Sequence, residues 1–219
     1  YTGTITQSSD MYISGYSQSG GTFTGVTTKW IYCSGDFIKT GGTITHYVTK
    51  LNFISDANFT PGFWGFHSLT ISNCEVLQKS NPVVVYNFLN NGNYKINTGC
   101  NLELLFGASS TINNNGNLET ITTGLITIDA KDKNIDLFLN GTVTGNIIFA
   151  THSSSATSRT IFLKNDILQN VSIQIKSLHA THTCTLDLNG HSLTASSITV
   201  GPRGILKCGN GTITTSSLD

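Results

Sequence analysis

The sequence predicts an all-β chain, and three observations indicate it. Apolar and polar residues alternate with period two in many short runs, as in Val171 to Ile175. Gly, Asn and Pro separate these runs, as expected for turns between strands. Only 11% of the 219 residues are Asp, Glu, Lys or Arg. The polar character comes from Thr, Ser and Asn instead, which suit exposed strands and turns better than helices.

The C-terminal segment 184–218 adds a repeat of about 20 residues, a period typical of solenoids. Three pairs of apolar residues are one repeat apart: Leu186 and Leu206, Leu188 and Cys208, and Leu193 and Ile213. Followed back at the same step, the Cys208 column passes through Leu188, Leu168, Ile148, Ile128, Ala108 and Phe88. We therefore predict a parallel β-solenoid. An antiparallel β-sandwich is the alternative, because short alternating strands at about 8–12-residue spacing describe it too.

Residues 1–70 carry much of the aromatic content, and we predict that they form an N-terminal cap on a solenoid of residues 71–219. A solenoid needs such a cap because its end exposes edge strands and core. The alternative is a platform on which sugar rings stack, with Trp30 and Trp64 as the candidate residues. Indole rings offer apolar faces and a polar edge for that purpose.

The later strand candidates follow in order: SLTISNCEVL, PVVVYNFL, NLELLF, ETITTGLITIDA, KNIDLFLNGTVTG and NIIFA. Between them, Ser109 to Asn117 contains four asparagines, which predicts a turn where stacked Asn side chains bond from coil to coil. The segment ILQNVSIQI also fits a helix, but Val171, Ile173 and Ile175 alternate with polar residues. That alternation favours a strand.

The charge balance excludes several classes of partner. Twelve basic and twelve acidic residues give a formal charge of zero, whereas nucleic acid requires a basic surface and anionic membranes attract basic segments. No apolar run approaches the length of a membrane span. We find no GxSxG, HExxH or phosphate-binding glycine loop, and we predict no cofactor.

The chain begins at Tyr1 without Met and enters a strand pattern at once, which predicts an exported product found outside the cell or on its surface. Four sequons begin at Asn58, Asn140, Asn170 and Asn210 and would permit N-glycosylation. In a chain this rich in Asn and Thr, chance is the simpler explanation for them.

The five cysteines form no CxxC pair, which argues against a zinc ribbon. In an exported protein, Cys74 with Cys100 and Cys184 with Cys208 are candidate disulfides, since each pair is separated by about one coil. Cys33 is then left over. It is either a buried thiol or a bond between subunits.

Two clusters could carry chemistry. Asp129, Asp132 and Asp136 suit a calcium site or a polysaccharide lyase, although a solvated turn is the simpler interpretation. The second cluster offers nitrogen and sulfur donors for a transition metal. It comprises His179, His182, Cys184 and His191. Surface imidazoles beside a core cysteine explain that cluster equally well, and we predict no metal.

The segment LDLNGHSLTASSITVGPRGILKCGNGTIT resembles the coils of right-handed parallel β-helix proteins. Bacterial adhesins, autotransporter passengers, phage tail spikes and pectate-lyase-like enzymes contain such coils. The resemblance implies a right-handed solenoid in an exported or surface protein. It brings no family's catalytic residues onto this chain.

Three functions fit these observations, and the first is favoured. It is a non-enzymatic extracellular structural protein that self-assembles into a filament, sheath or surface layer, since TGTITQSSD near the start resembles NGTITTSSLD at the end. The second is an adhesin or spike module that binds glycans. The third is a polysaccharide lyase or hydrolase that uses the Asp129 cluster.

Overall fold

The computed structural model describes residues 3–45, 49–62, 64–106, 111–169 and 171–219. For Trp64, Val83, Val85, Phe106 and Leu168 we describe the backbone alone. Over these ranges the chain forms strands and turns and contains no helix. No membrane-spanning helix is therefore found in the described ranges.

The strands of the first five coils are β1 (Thr4–Thr6), β2 (Met11–Ile13), β3 (Tyr16–Gln18), β4 (Thr22–Thr24), β5 (Trp30–Cys33), β6 (Phe37–Lys39), β7 (Thr43–Ile44), β8 (Lys50–Phe53), β9 (Ala57–Thr60), β10 (Trp64–Ile71), β11 (Glu75–Gln78), β12 (Pro82–Asn90) and β13 (Asn93–Ile96). The later strands are β14 (Asn101–Phe106), β15 (Thr111–Asn114), β16 (Asn117–Thr120), β17 (Leu125–Ala130), β18 (Ile135–Leu139), β19 (Thr142–Thr151), β20 (Arg159–Leu163), β21 (Ile167–Leu168), β22 (Val171–Ser177), β23 (Cys184–Asp187), β24 (Leu193–Ala195), β25 (Ser197–Val200), β26 (Gly204–Lys207) and β27 (Ile213–Thr215).

Each coil contributes one strand segment to each of three faces. Face A begins with β1, β4 and β7 and continues through the first part of β10 to β14, β17, β19, β22 and β25. Face B runs from β2 and β5 through the second part of β10 to β23 and β26. Face C runs from β3 and β6 to β16 and ends with β21, β24 and β27.

Every pairing between named strands is parallel, which confirms the β-solenoid and excludes the antiparallel sandwich. The ten strands of face B are joined by nine such steps, so the chain makes about nine turns. Parallel strands need a crossover between them, and here the other two faces of the same coil supply it.

The coil length varies between 18 residues, from Thr4 to Thr22, and 26 residues, from Ile135 to Ile161. The predicted 20-residue pairs Leu186–Leu206 and Leu193–Ile213 are confirmed as register partners. Farther back the strict step is wrong. Ile148 pairs with Thr127 and not with Ile128, because longer loops between faces A and B change the register in coils 6 to 9.

The core lies inside the three faces, and it follows from the alternation of side chains along each strand. In β18, Ile135, Leu137 and Leu139 are buried, whereas Asp136 and Phe138 face solvent. Burying each such aliphatic side chain contributes about 1.5–3 kcal/mol relative to leaving it exposed. The coils are too thin to be stable alone, so this core is continuous from coil to coil.

Most phenylalanines of the first 70 residues belong to that core. Five of them are fully buried: Phe23, Phe37, Phe53, Phe59 and Phe66. Phe59 packs edge-on against Phe53, with ring centroids 5.1 Å apart. Position 70, where we placed the boundary of the cap, falls inside β10, and strands on both sides of it belong to the same faces.

Polar side chains at the corners satisfy backbone N–H groups of the neighbouring coil. The Asp36 carboxylate accepts from the Asn58 N–H at 2.7 Å, and Asp56 accepts from the Glu75 N–H at 2.7 Å. Other pairs repeat this arrangement: Asp10 with Trp30, Asn81 with Asn101, Asn134 with Thr160 and Asp166 with Ser192. Since a buried or half-buried N–H requires a partner, these Asp and Asn residues are structural.

The predicted asparagine ladder is confirmed, and it has an inner and an outer row. In the inner row, Nδ2 of Asn90 donates to Oδ1 of the fully buried Asn114 at 2.8 Å. In the outer row, Asn115 donates to Asn91 at 3.0 Å and Asn140 donates to Asn115 at 3.1 Å. Stacked amides therefore bond the corner between faces B and C from coil to coil.

One glycine is required where β19 leaves face C for face A. Gly145 has a φ of +100°, which is strained for other residues, and a Cβ there would collide with the Thr120 side chain.

We expect Phe59→Ala to lower the free energy of unfolding by about 3–5 kcal/mol, because it leaves a cavity in the aromatic core. Ile54→Ala is the control, since Ile54 is 43% exposed and lies nearby in the chain. Denaturant unfolding followed by circular dichroism measures both. Equal effects of the two substitutions would contradict this description of the core.

The asparagine ladder gives a second matched pair. Asn114→Ala deprives the buried Asn90 amide of its acceptor and leaves the Thr142 carbonyl without the Asn114 donor, which should cost about 1–3 kcal/mol. Asn115→Ala removes only exposed bonds and should cost less than about 0.5 kcal/mol. The same unfolding measurement separates them, and a larger loss for Asn115→Ala would show that the inner row is dispensable.

Candidate functional site

An aromatic patch lies on the outer side of face B in the first three coils. We call it the aromatic surface and define it as Tyr12, Trp30, Tyr32 and Lys50. Strand alternation places these side chains outward, because Ile31 and its neighbours in register point into the core.

The parallel register brings the rings together. Tyr12 is the direct partner of Tyr32, and their rings stack with centroids 4.6 Å apart and planes 10° from parallel. Trp30 lies beside Tyr32 at 6.4 Å, and its register partner Lys50 holds its ammonium 5.5 Å from the Trp30 ring centroid. The outermost ring, Tyr12, remains 75% exposed.

Charged groups border the rings. The Asp10 carboxylate accepts a hydrogen bond from the Trp30 N–H at 2.9 Å. Desolvation raises the pKa of the Tyr32 hydroxyl, and the neighbouring Tyr12 and Asp10 raise it further. The surface thus combines apolar ring faces with a phenol, a carboxylate and an ammonium at its edges.

A second stacked pair follows at the corner between faces A and B, two coils further along. The rings of His67 and Tyr86 are 4.3 Å apart, and His67 Nδ1 lies 2.9 Å from the Ser68 hydroxyl. Burial lowers the pKa of His67, and the Lys50 charge lowers it further. The imidazole is therefore neutral at neutral pH.

The two tryptophans that we predicted as stacking residues have different outcomes. Trp30 is half-buried and belongs to the aromatic surface. The side chain of Trp64 lies outside the described residues. The sequence reasoning did not single out Tyr12 and Tyr32, although both precede or follow apolar residues at outward positions of their strands.

The predicted cluster of three aspartates is not a cluster in the fold. Asp129 is buried on face A, whereas Asp132 is exposed in the following turn. Asp136 is on face B, where its carboxylate pairs with Lys164 at 3.1 Å. Closeness in sequence was misleading because the chain turns from one face to the next between these residues.

Asp129 instead meets Glu103, which the sequence reasoning missed. Both line a hollow of about 210 Å³ on the outer side of face A. Burial raises the pKa of Asp129 to about 7, and the Glu103 charge raises it while Lys131 lowers it. Burial also raises the pKa of Glu103. His152 lies at the edge, with its Nε2 4.0 Å from Asp129 Oδ2.

The histidine–cysteine cluster does not form a metal site. His179 and His182 stack with centroids 4.1 Å apart, and Cys184 is fully buried on the core side of β23. His191 is at another corner, where it pairs with Asp166 at 3.4 Å. Over the described ranges, no group of three His, Cys, Asp or Glu side chains is arranged to hold a metal.

All five cysteines are free thiols, so neither predicted disulfide is formed. Cys184 pairs with Gly204, four residues before Cys208, which places the two cysteines about 13 Å apart along the strand direction. Cys74 precedes β11 and Cys100 precedes β14, at different corners of the coil. Cys33 is fully buried in the core, which makes it unsuitable for a bond between subunits.

The predicted glycosylation sites have mixed surroundings. The Asn58 amide donates to Asp36 at 3.1 Å and the Asn140 amide donates to Asn115, so both amides have structural bonds. Asn210 is exposed in the last coil. Asn170 lies outside the described residues.

No family model, curated protein or solved structure matches this chain. Function therefore has to follow from the geometry of the aromatic surface and of the hollow at Asp129.

The raised pKa of Asp129 predicts a pH dependence of stability. Its folded pKa of about 7 exceeds the ordinary value of 3.8, so the folded state binds the proton more tightly. The free energy of unfolding should consequently fall as the pH rises from about 4 to about 7, by up to about 4 kcal/mol from this group. Above pH 7 this contribution should be constant.

Asp129→Asn should remove that component and make the protein more stable than wild type at pH 8. Denaturant unfolding between pH 4 and pH 9 measures it, and the difference between the two curves isolates Asp129 from His67 and His152, whose lowered pKa values give the opposite slope. A difference that does not change with pH would contradict the assignment.

Proposed function

We propose that the protein binds glycans through the aromatic surface. The observation that carries this proposal is the offset stack of Tyr12 on Tyr32, with the Tyr12 ring left three-quarters exposed on a rigid sheet. Aromatic faces stack on the apolar C–H faces of sugar rings, and the polar ring edges bond to hydroxyls.

The exposure of these rings supports binding more than packing. The phenylalanines of the same coils are buried completely, whereas the rings of the aromatic surface lie outward with no chain above Tyr12 in the described residues. Contiguous exposed apolar surface bordered by polar groups is typical of binding sites.

The scaffold lowers the cost of binding. Parallel pairing fixes β2, β5 and β8 on both their backbones and their registers. The rings therefore keep their positions in the free protein, and little conformational entropy is lost when a ligand is ordered against them.

The charges favour a ligand with many hydroxyls. Lys50 offers N–H donors and Asp10 offers acceptors at the border of the same patch. A chain with no net charge lacks the field that would select a strongly charged polymer. The self-assembly that we favoured from the sequence stays a prediction, as does the exported location.

The proposal predicts saturable binding to at least one member of a broad glycan array, followed by titration calorimetry on the best ligand. Tyr12→Ala and Trp30→Ala should each weaken binding about 2- to 10-fold, which corresponds to the loss of one stacking contact. Circular dichroism should be unchanged for Tyr12→Ala, because that ring is outside the core.

Phe138→Ala is the matched control, since Phe138 is a partly exposed aromatic residue on the outer side of the same face, five coils away. It should bind as wild type does. Absence of saturable binding across the array, or an equal loss on Phe138→Ala, would refute the proposal.

A further inference from the structure

The hollow at Asp129 is a separate place in the fold from the aromatic surface. It lies on face A, and β14, β17, β19 and β22 build it. Its walls are mixed: Ile148 and Leu178 are apolar, whereas Thr127 and Lys176 offer hydrogen-bond donors. This composition suits a sugar ring, which has apolar faces and a hydroxyl rim.

The Asp129 carboxyl lies in this hollow without its normal partners. Its residue is 1% exposed, and Oδ1 has no hydrogen-bond partner in the described structure. Oδ2 is 4.0 Å from His152 Nε2, beyond hydrogen-bond distance. Since a buried polar atom without a partner is costly, a protonated carboxyl that donates to a bound ligand would remove the penalty.

Glu103 supplies a second carboxyl at a defined offset. It pairs with Thr127 on the next strand, two residues before Asp129, and both side chains are on the outer side. A strand spacing of about 4.8 Å and a rise of about 3.3 Å per residue place the two Cα atoms about 8 Å apart. Glu103 is half-buried, so its carboxylate remains accessible to water.

We propose that this hollow cleaves glycosidic bonds, with Asp129 as the general acid and Glu103 as the general base. Asp129 gives its proton to the glycosidic oxygen as the bond from that oxygen to the anomeric carbon breaks. A water molecule attacks the anomeric carbon from the opposite side and gives its proton to Glu103. Water is the only co-reactant, and proton return from Glu103 to Asp129 through solvent restores the site.

The difference between the two environments assigns the roles. The more buried carboxyl, Asp129, holds its proton at a pH where the more exposed Glu103 is ionised. Carboxyl groups about 6.5–9.5 Å apart leave room for the attacking water and give inversion at the anomeric carbon. The offset of Glu103 from Asp129 falls in this class.

The test is hydrolysis of a panel of neutral and uronic-acid polysaccharides by the full chain, measured as new reducing ends between pH 4 and pH 9. We expect cleavage with a bell-shaped profile whose basic limb lies near pH 7, where Asp129 loses its proton. Asp129→Asn and Glu103→Gln should each lower the rate by about 10²- to 10⁴-fold. The proton spectrum of the first product should show inverted anomeric configuration.

Asp132→Asn is the control, because this exposed carboxylate lies three residues from Asp129 and outside the hollow. It should leave the rate unchanged. Absence of cleavage across the panel, or full activity in Asp129→Asn or Glu103→Gln, would overturn the proposal, and retention of configuration would overturn the assigned roles. Glycan binding at the aromatic surface has its own assay, so failure here leaves that proposal standing.

Discussion

The parallel hydrogen bonding between successive coils is the constraint on which the rest of this structure depends. Each coil exposes a full row of N–H and C=O groups on both edges, and only another coil satisfies them all. Side chains at one position must then stack on their equivalents above and below. A core residue such as Leu51 meets Ile31 and Leu69 for this reason, and an outward residue such as Tyr32 meets Tyr12.

Corners are the weak points of such a fold, because the backbone leaves its ladder there. The chain meets this need with short polar side chains that bond to the adjacent coil, as Asp36 does with Asn58. Buried amides act in the same way inside the corner: Gln78 donates to the Ser80 and Asn101 carbonyls and accepts from the Tyr94 hydroxyl. The abundance of Asn, Thr and Ser in the composition is thus a consequence of corner geometry.

Both candidate sites are products of the same stacking. The aromatic surface forms because three ring positions and one lysine fall on consecutive outward positions of face B. The hollow forms because the longer coils of the C-terminal half add loops beside face A and cover Asp129. Since the sheet that presents these groups is rigid, their chemistry depends on register and not on movement.

The sequence by itself determined the all-β class, the stacking of coils, the inner side of most strands and the asparagine ladder. Period two specifies which side chain points inward, and short Asn-rich turns specify the corners. It did not determine the register, because coil length is set in the corner loops, which carry no periodic signal. Ile148 therefore pairs with Thr127 and not with Ile128. For the same reason, only the tertiary structure brought Glu103 to Asp129, moved Asp136 to another face and kept Cys184 apart from Cys208.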